Sequence, residues 1–138
     1  MIKVLCAIDD TEHSLPAIDF AAKLAKGLGG ELTLVAVNQL IGGYGRGGPP
    51  VLLWTESDAR RVLADAAAEA QKRGAPDVRT ELIESRDPAQ AIIFHAEQNG
   101  FGHIVVGTGG KGAVQRLVLG SVSRDVVYRA HCPVTVVR

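Results

Sequence analysis

At 138 residues, 46% hydrophobic and 22% charged, the chain reads as one globular domain over residues 1–138, outside the disordered, collagen-like and coiled-coil classes. Its 15 basic and 15 acidic side chains cancel, which removes the general electrostatic case for a nucleic-acid partner. No apolar run reaches the roughly 18–20 residues that cross a bilayer, and residues 1–8 meet Asp9-Asp10 without the cleavage site of a secretory signal, so no membrane partner and a cytoplasmic location are expected.

Residues 3–8 form a short apolar run closed by two acids, the pattern of a strand buried on both faces. Ser14 is placed to cap the helix that follows, with Pro16 in its first turn, where proline is tolerated. Ile18, Ala21, Ala22, Ala25 and Leu28 then fall on one helical face, and Gly27, Gly29 and Gly30 end it. Residues 32–37 read as a second apolar strand. Residues 42–50 hold five glycines and two prolines; they cannot keep a regular element and read as a mobile loop, long enough to serve a function or to be disordered. Thr55 and Asp58 predict the start of a helix whose inner face is Ala59, Val62, Leu63, Ala66 and Ala70, with Gly74 and Pro76 beyond its end. Residues 78–83 alternate with Arg79 and Glu81, as in an edge or half-exposed strand. Asp87-Pro88 opens a helix with Ala89, Ile92, Ile93 and Ala96 inward. A fourth strand over 103–106, a last helix over 121–129 and a fifth strand over 134–137 complete the chain. Strictly alternating strands and helices predict an α/β domain with a five-stranded parallel sheet, helices on both faces and right-handed crossovers. Ligands of such sheets bind beyond the carboxyl ends of the strands, where strand order reverses. Asp9-Asp10, the segment after Val37 and the segment after Val106 are therefore the places to look.

The segment after the fourth strand runs Gly107-Thr-Gly-Gly-Lys-Gly and returns at Gly120-Ser121-Val122-Ser123. Glycines there allow the backbone to approach a ligand, and the start of the last helix offers free N–H groups and a dipole that favour an anion. On composition alone the same stretch is equally a flexible turn, with Ser121 as a helix cap. Over residues 107–138, Lys111, Arg116, Arg124, Arg129 and Arg138 face only Asp125, so a local anion site fits. The match of Gly107, Gly109 and Gly112 to a dinucleotide fingerprint is accidental, because no acid follows the next strand, and Gly110-Lys111-Gly112 is not a Walker sequence. Cys6 and Cys132 sit in apolar runs without metal spacing and read as buried thiols. His13, four residues past Asp9, either reaches a phosphate or, as the stronger reading, is a first-turn surface histidine, and His95 and His103 lack partners at metal-ligand spacing. Asp9-Asp10 could hold Mg²⁺ bridging phosphates, although turn chemistry needs no metal. Trp54 and Tyr44 flank the glycine-rich loop and either fold over a ligand or patch the core. Six aromatic residues are too few for stacking on single strands.

The spacing Gly107-x2-Gly110-x9-Gly120-Ser121, with Thr11 and Ser14 after residues 4–9, Asp87-Pro88-Ala89, and Arg129-Ala-His-Cys-Pro-Val134 in the tail, resembles the universal stress protein (UspA) family of the ATP-binding type. The resemblance covers the whole chain. It implies a Rossmann-like domain akin to the adenine nucleotide alpha-hydrolases, an adenine-nucleotide ligand (ATP, ADP or AMP) and a homodimer paired through the last strand. Carried onto this sequence, Asp9 would hold the adenosine and Val37 would contact adenine. Gly107 and Gly110 would line the ribose and phosphate path, and Gly120, Ser121 and Val122 would wrap the phosphates, with the Ser123 hydroxyl as a further donor. Lys111 stands where arginine is common in that family, and Thr108-Gly109 replaces a more usual Ser-His or Ser-Arg pair.

No general base is aimed at a γ-phosphate in this pattern, so a regulatory nucleotide-binding module with at most slow hydrolysis is expected rather than a dedicated enzyme. Two other readings stay open. An ATP-using transferase or pyrophosphatase of the same fold would carry a His-x-Gly-His or Ser-Gly-Gly signature, where the first strand here ends in Asp9-Asp10-Thr11-Glu12. An interaction module without nucleotide would have no need of the intact glycine-serine spacing.

Overall fold

The computed structural model describes residues 2–45, 47–75, 77–108 and 119–138. In chain order the elements are β1 (Lys3–Ile8), α1 (Ser14–Leu28), β2 (Glu31–Ile41), β3 (Val51–Leu52), α2 (Glu56–Lys72), β4 (Val78–Ser85), α3 (Pro88–Gln98), β5 (His103–Gly107), α4 (Ser121–Arg129) and β6 (Val134–Val137). Five strands lie parallel in the order β4-β2-β1-β5-β6. The chain thus builds outward from β1 in one direction, then returns and builds in the other, which puts the reversal of strand order between β1 and β5.

The expected five-stranded sheet gains a sixth piece. β3 pairs antiparallel with the end of β2, Leu40 opposite Leu52 and Ile41 opposite Val51. β2 therefore runs four residues past the apolar stretch 32–37, through Asn38 and Gln39. The polar residues stay in the strand because Asn38, only 1% exposed, has its hydrogen bonds met. Its amide donates to the Trp54 carbonyl and its Oδ1 accepts the Trp54 N–H, both at 2.9 Å. The glycine-rich loop is consequently the tip of a β2–β3 hairpin.

Alternation along the strands divides the core between two faces. Val4, Cys6 and Ile8 of β1 pack with the alanine stripe of α1 and with Ala59, Leu63, Ala66 and Ala70 of α2. Leu5, on the other face, packs with Ala89, Ile92 and Ala96 of α3 and Val126 of α4. Alanines on the first face let both helices lie close to the sheet. Burial pushes the Cys6 thiol up to about 12, so it stays a neutral core group. Thr55 caps α2, accepting the Asp58 N–H at 3.1 Å, and Asp87 caps α3 through the Gln90 N–H at 3.1 Å. Ser14 is not the cap of α1, as the sequence had suggested. The cap position is His13, without a side-chain bond, and the buried Ser14 hydroxyl turns back to Asp9 instead.

Candidate functional site

Strand β1 ends in a turn that its own side chains lock. Asp9 Oδ1 accepts from the Thr11 N–H at 2.8 Å, the Thr11 hydroxyl at 2.6 Å and the Ser14 hydroxyl at 3.0 Å. Ser14 Oγ in turn accepts the Asp9 N–H at 2.9 Å. One carboxylate oxygen is thereby consumed in holding the turn, while Oδ2 accepts no bond among the described residues. Asp9 is half-buried and Asp10 is exposed.

Strand β5 ends against the same turn. A Cβ at Gly107 would lie 2.7 Å from the His13 carbonyl oxygen, so only glycine lets β5 approach the start of α1 this closely. The Gly107 carbonyl accepts the Ser123 hydroxyl at 2.6 Å, and the Gly120 N–H donates to the Thr108 carbonyl at 2.7 Å. These two bonds set the first turn of α4 beside the end of β5. Gly120 occupies the cap position in an extended conformation, with no side chain closing the helix end. The N–H groups of Ser121, Val122 and Ser123 are the ones that α-helix geometry leaves without an internal acceptor. Arg129, at the far end of α4, reaches Asp87 Oδ2 at 3.5 Å and also bonds Gln90, which holds α4 to α3.

These parts enclose a cavity of about 500 Å³ at the carboxyl ends of β1, β2 and β5. Of the residues singled out in the sequence, Asp9, Val37, Gly107, Gly120, Ser121, Val122 and Ser123 all line it. Gly110, with Lys111 and Arg116, lies outside the described residues. Ala7, Val35, Val37, Ile92 and Val106 give the cavity an apolar interior, and Gln39, Ile41, Leu53 and Trp54 form a wall at the hairpin. The lining therefore combines apolar side chains with the first turn of α4. Between α1 and α2 an adjoining groove shares Asp9, Asp10 and Trp54 and adds Glu12, Asp58 and Asp65, with Arg61 paired to Asp58. That acidic side repels an anion and leaves the α4 end as the place for negative charge.

Several expectations resolve differently in space. Trp54 is a core residue of the α1–α2 face whose edge reaches the cavity. Tyr44 is 73% exposed and lies under the Arg86 guanidinium. His13 lines the cavity, whereas His95 stands against Phe101 and His103 bonds Thr135 across β5 and β6 at 2.7 Å. Among the described residues no group of three or more His, Cys, Asp or Glu side chains is placed to hold a metal. The sequence reading missed the Asn38–Trp54 pair and the Pro88 and Ile92 wall. A lone asparagine in an apolar run was the available signal for the first.

Comparison with known proteins agrees with this architecture. The model of the universal stress protein family matches residues 1–138. A universal stress protein of Bacillus subtilis is 30% identical, over 99% of this chain and 98% of its own length. Among solved structures, the universal stress protein from Archaeoglobus fulgidus in complex with dAMP superposes with a TM-score of 0.75 at 24% identity, covering 100% of this chain and 98% of that one. A universal stress protein in complex with cAMP gives 0.76 at 22% identity, covering 99% and 96%.

Proposed function

We propose that this chain, which belongs to the universal stress protein family, binds an adenine nucleotide across the carboxyl ends of β1, β2 and β5. The observation that carries the reading is the convergence of an apolar slot, a carboxylate oxygen without a bond among the described residues and the open N-terminus of α4 on one cavity. Solved relatives in complex with dAMP and cAMP support the choice of ligand class. Adenine would lie against Val37, Ala7 and Val106, burying its faces on apolar side chains. Asp9 Oδ2 would accept from the ribose or the base. The phosphates would meet the N–H groups of Ser121, Val122 and Ser123, with Gly107 and Gly110 along their path. The Ser123 hydroxyl is already committed to the Gly107 carbonyl, so its share is the amide rather than the hydroxyl. Asp9 and Asp10 are the carboxylates of the cavity lining that would be available to a Mg²⁺ brought in by a triphosphate. Hydrolysis of a bound triphosphate would be slow at most, as the sequence pattern implies. The role is that of a regulatory module that reports nucleotide occupancy, working as a homodimer through the outer edge of β6.

Ser121→Asp tests this directly. A carboxylate in the first turn stabilises the helix by about 0.3–1 kcal/mol but repels a phosphate at the same spot. Calorimetry should show ATP binding weakened on the order of tenfold or more, adenosine binding unchanged, and a melting temperature equal to or above that of the wild type. Loss of both ligands together, or of neither, would contradict the phosphate placement.

A further inference from the structure

Arg86 follows β4 directly and stands on the surface. Its guanidinium contacts two residues of the hairpin tip and leaves no room at the glycine between them. Nη1 donates to the Gly42 carbonyl at 2.6 Å. The charged carbon lies 4.6 Å from the centre of the Tyr44 ring. Between them, Gly43 takes φ 81° and has no room for a side chain, since a Cβ would meet Pro50 at 2.8 Å and Arg86 Nη2 at 3.0 Å. A planar, always-charged fork is suited to this double task, donating in its plane while a ring stacks on its face.

The position of this contact gives it a consequence for the cavity. Ile41, immediately before Gly42, lines one wall, and Pro88, two residues after Arg86, lines another. The guanidinium thus ties the hairpin wall to the α3 wall without lining the cavity itself. We propose that Arg86 is a positioning residue, a clasp that fixes the hairpin tip beside the Ile41 wall of the cleft and so sets how long a bound nucleotide stays. The inference rests on the nucleotide reading above and concerns its release rather than its contacts. Because the contact is solvent-exposed, it opens without unfolding the core, and the glycines on either side supply the hinge.

The test uses two measurements on the same proteins. Amide hydrogen exchange on the nucleotide-free chain should accelerate where the hairpin tip is closed, at the Ile41–Val51 pair and at Leu53, whose N–H donates to the Gln39 carbonyl, in Arg86→Ala and Tyr44→Ala, stay slow in Tyr44→Phe, which keeps the ring, and remain unchanged in β1 and β5. Stopped-flow release of a fluorescent ATP analogue should be roughly five- to tenfold faster in Arg86→Ala, intermediate in Arg86→Lys and unchanged in Tyr44→Phe. Unchanged exchange at the tip in Arg86→Ala would overturn the clasp whatever the ligand. Faster exchange with unaltered release would overturn its role at the cleft while leaving nucleotide binding intact. A wild-type chain that takes up no nucleotide would overturn the functional reading, and this inference with it.

Discussion

At the scale of single residues, the site depends on groups whose structural and functional duties are hard to separate in a sequence. Asp9 is read as a ligand residue from its place after β1, yet one of its oxygens is spent on Thr11 and Ser14. A serine four residues before Ile18, where the apolar helical face begins, satisfies the rule for a helix cap equally well, so the sequence assigns Ser14 that role. Only the fold reveals that its hydroxyl turns back to the strand end. Gly107 carries the same ambiguity. Its place in a glycine motif suggests ligand approach, but the close contact with the His13 carbonyl already demands glycine. Gly107→Ala should therefore destabilise the protein by about 1–3 kcal/mol with or without ligand, as urea unfolding would measure. An unaltered midpoint would mean that the β5–α1 approach is looser than described.

At the scale of elements, the hairpin is the part that sequence periodicity could not supply. A two-residue strand has no period, and Asn38 and Gln39 break the apolar run that marks β2. What holds β3 in place is a side chain acting as a strand partner: the Asn38 amide occupies both backbone groups of Trp54. Removing it leaves a buried donor and acceptor without partners. Asn38→Ala should lower stability by roughly 2–4 kcal/mol and shift Trp54 fluorescence to the red as the hairpin wall loosens. A blue or unshifted spectrum with wild-type stability would show that water replaces the asparagine without cost. The helix starts at Thr55 and Asp87 were legible because each capping bond closes within three residues, whereas at Ser14 the more distant Asp9 takes the hydroxyl. The bonds that aim α4 at the cavity, from Ser123 to Gly107 and from Gly120 to Thr108, link residues on either side of a long connection. Spacing suggested that these segments meet; it could not say which atoms join them.

At the scale of the molecule, the order of strands and helices was readable because alternation leaves few topologies for a parallel sheet. The location of the cavity followed from the same topology, since the reversal between β1 and β5 opens a crevice that neither neighbouring helix covers. Charge then gives the cavity a direction. The acids between α1 and α2 lie to one side, and the first N–H groups of α4, without an acceptor among the described residues, lie to the other, so the proposed ligand would turn its anionic end to α4. The outer edge of β6, whose residues are half-buried, leaves backbone groups that a second copy would satisfy. Native mass spectrometry of the purified protein after incubation with ATP reads both features at once. The account predicts a dimer carrying one adenine nucleotide per subunit. Subunits that remain bare in excess nucleotide would contradict its central claim.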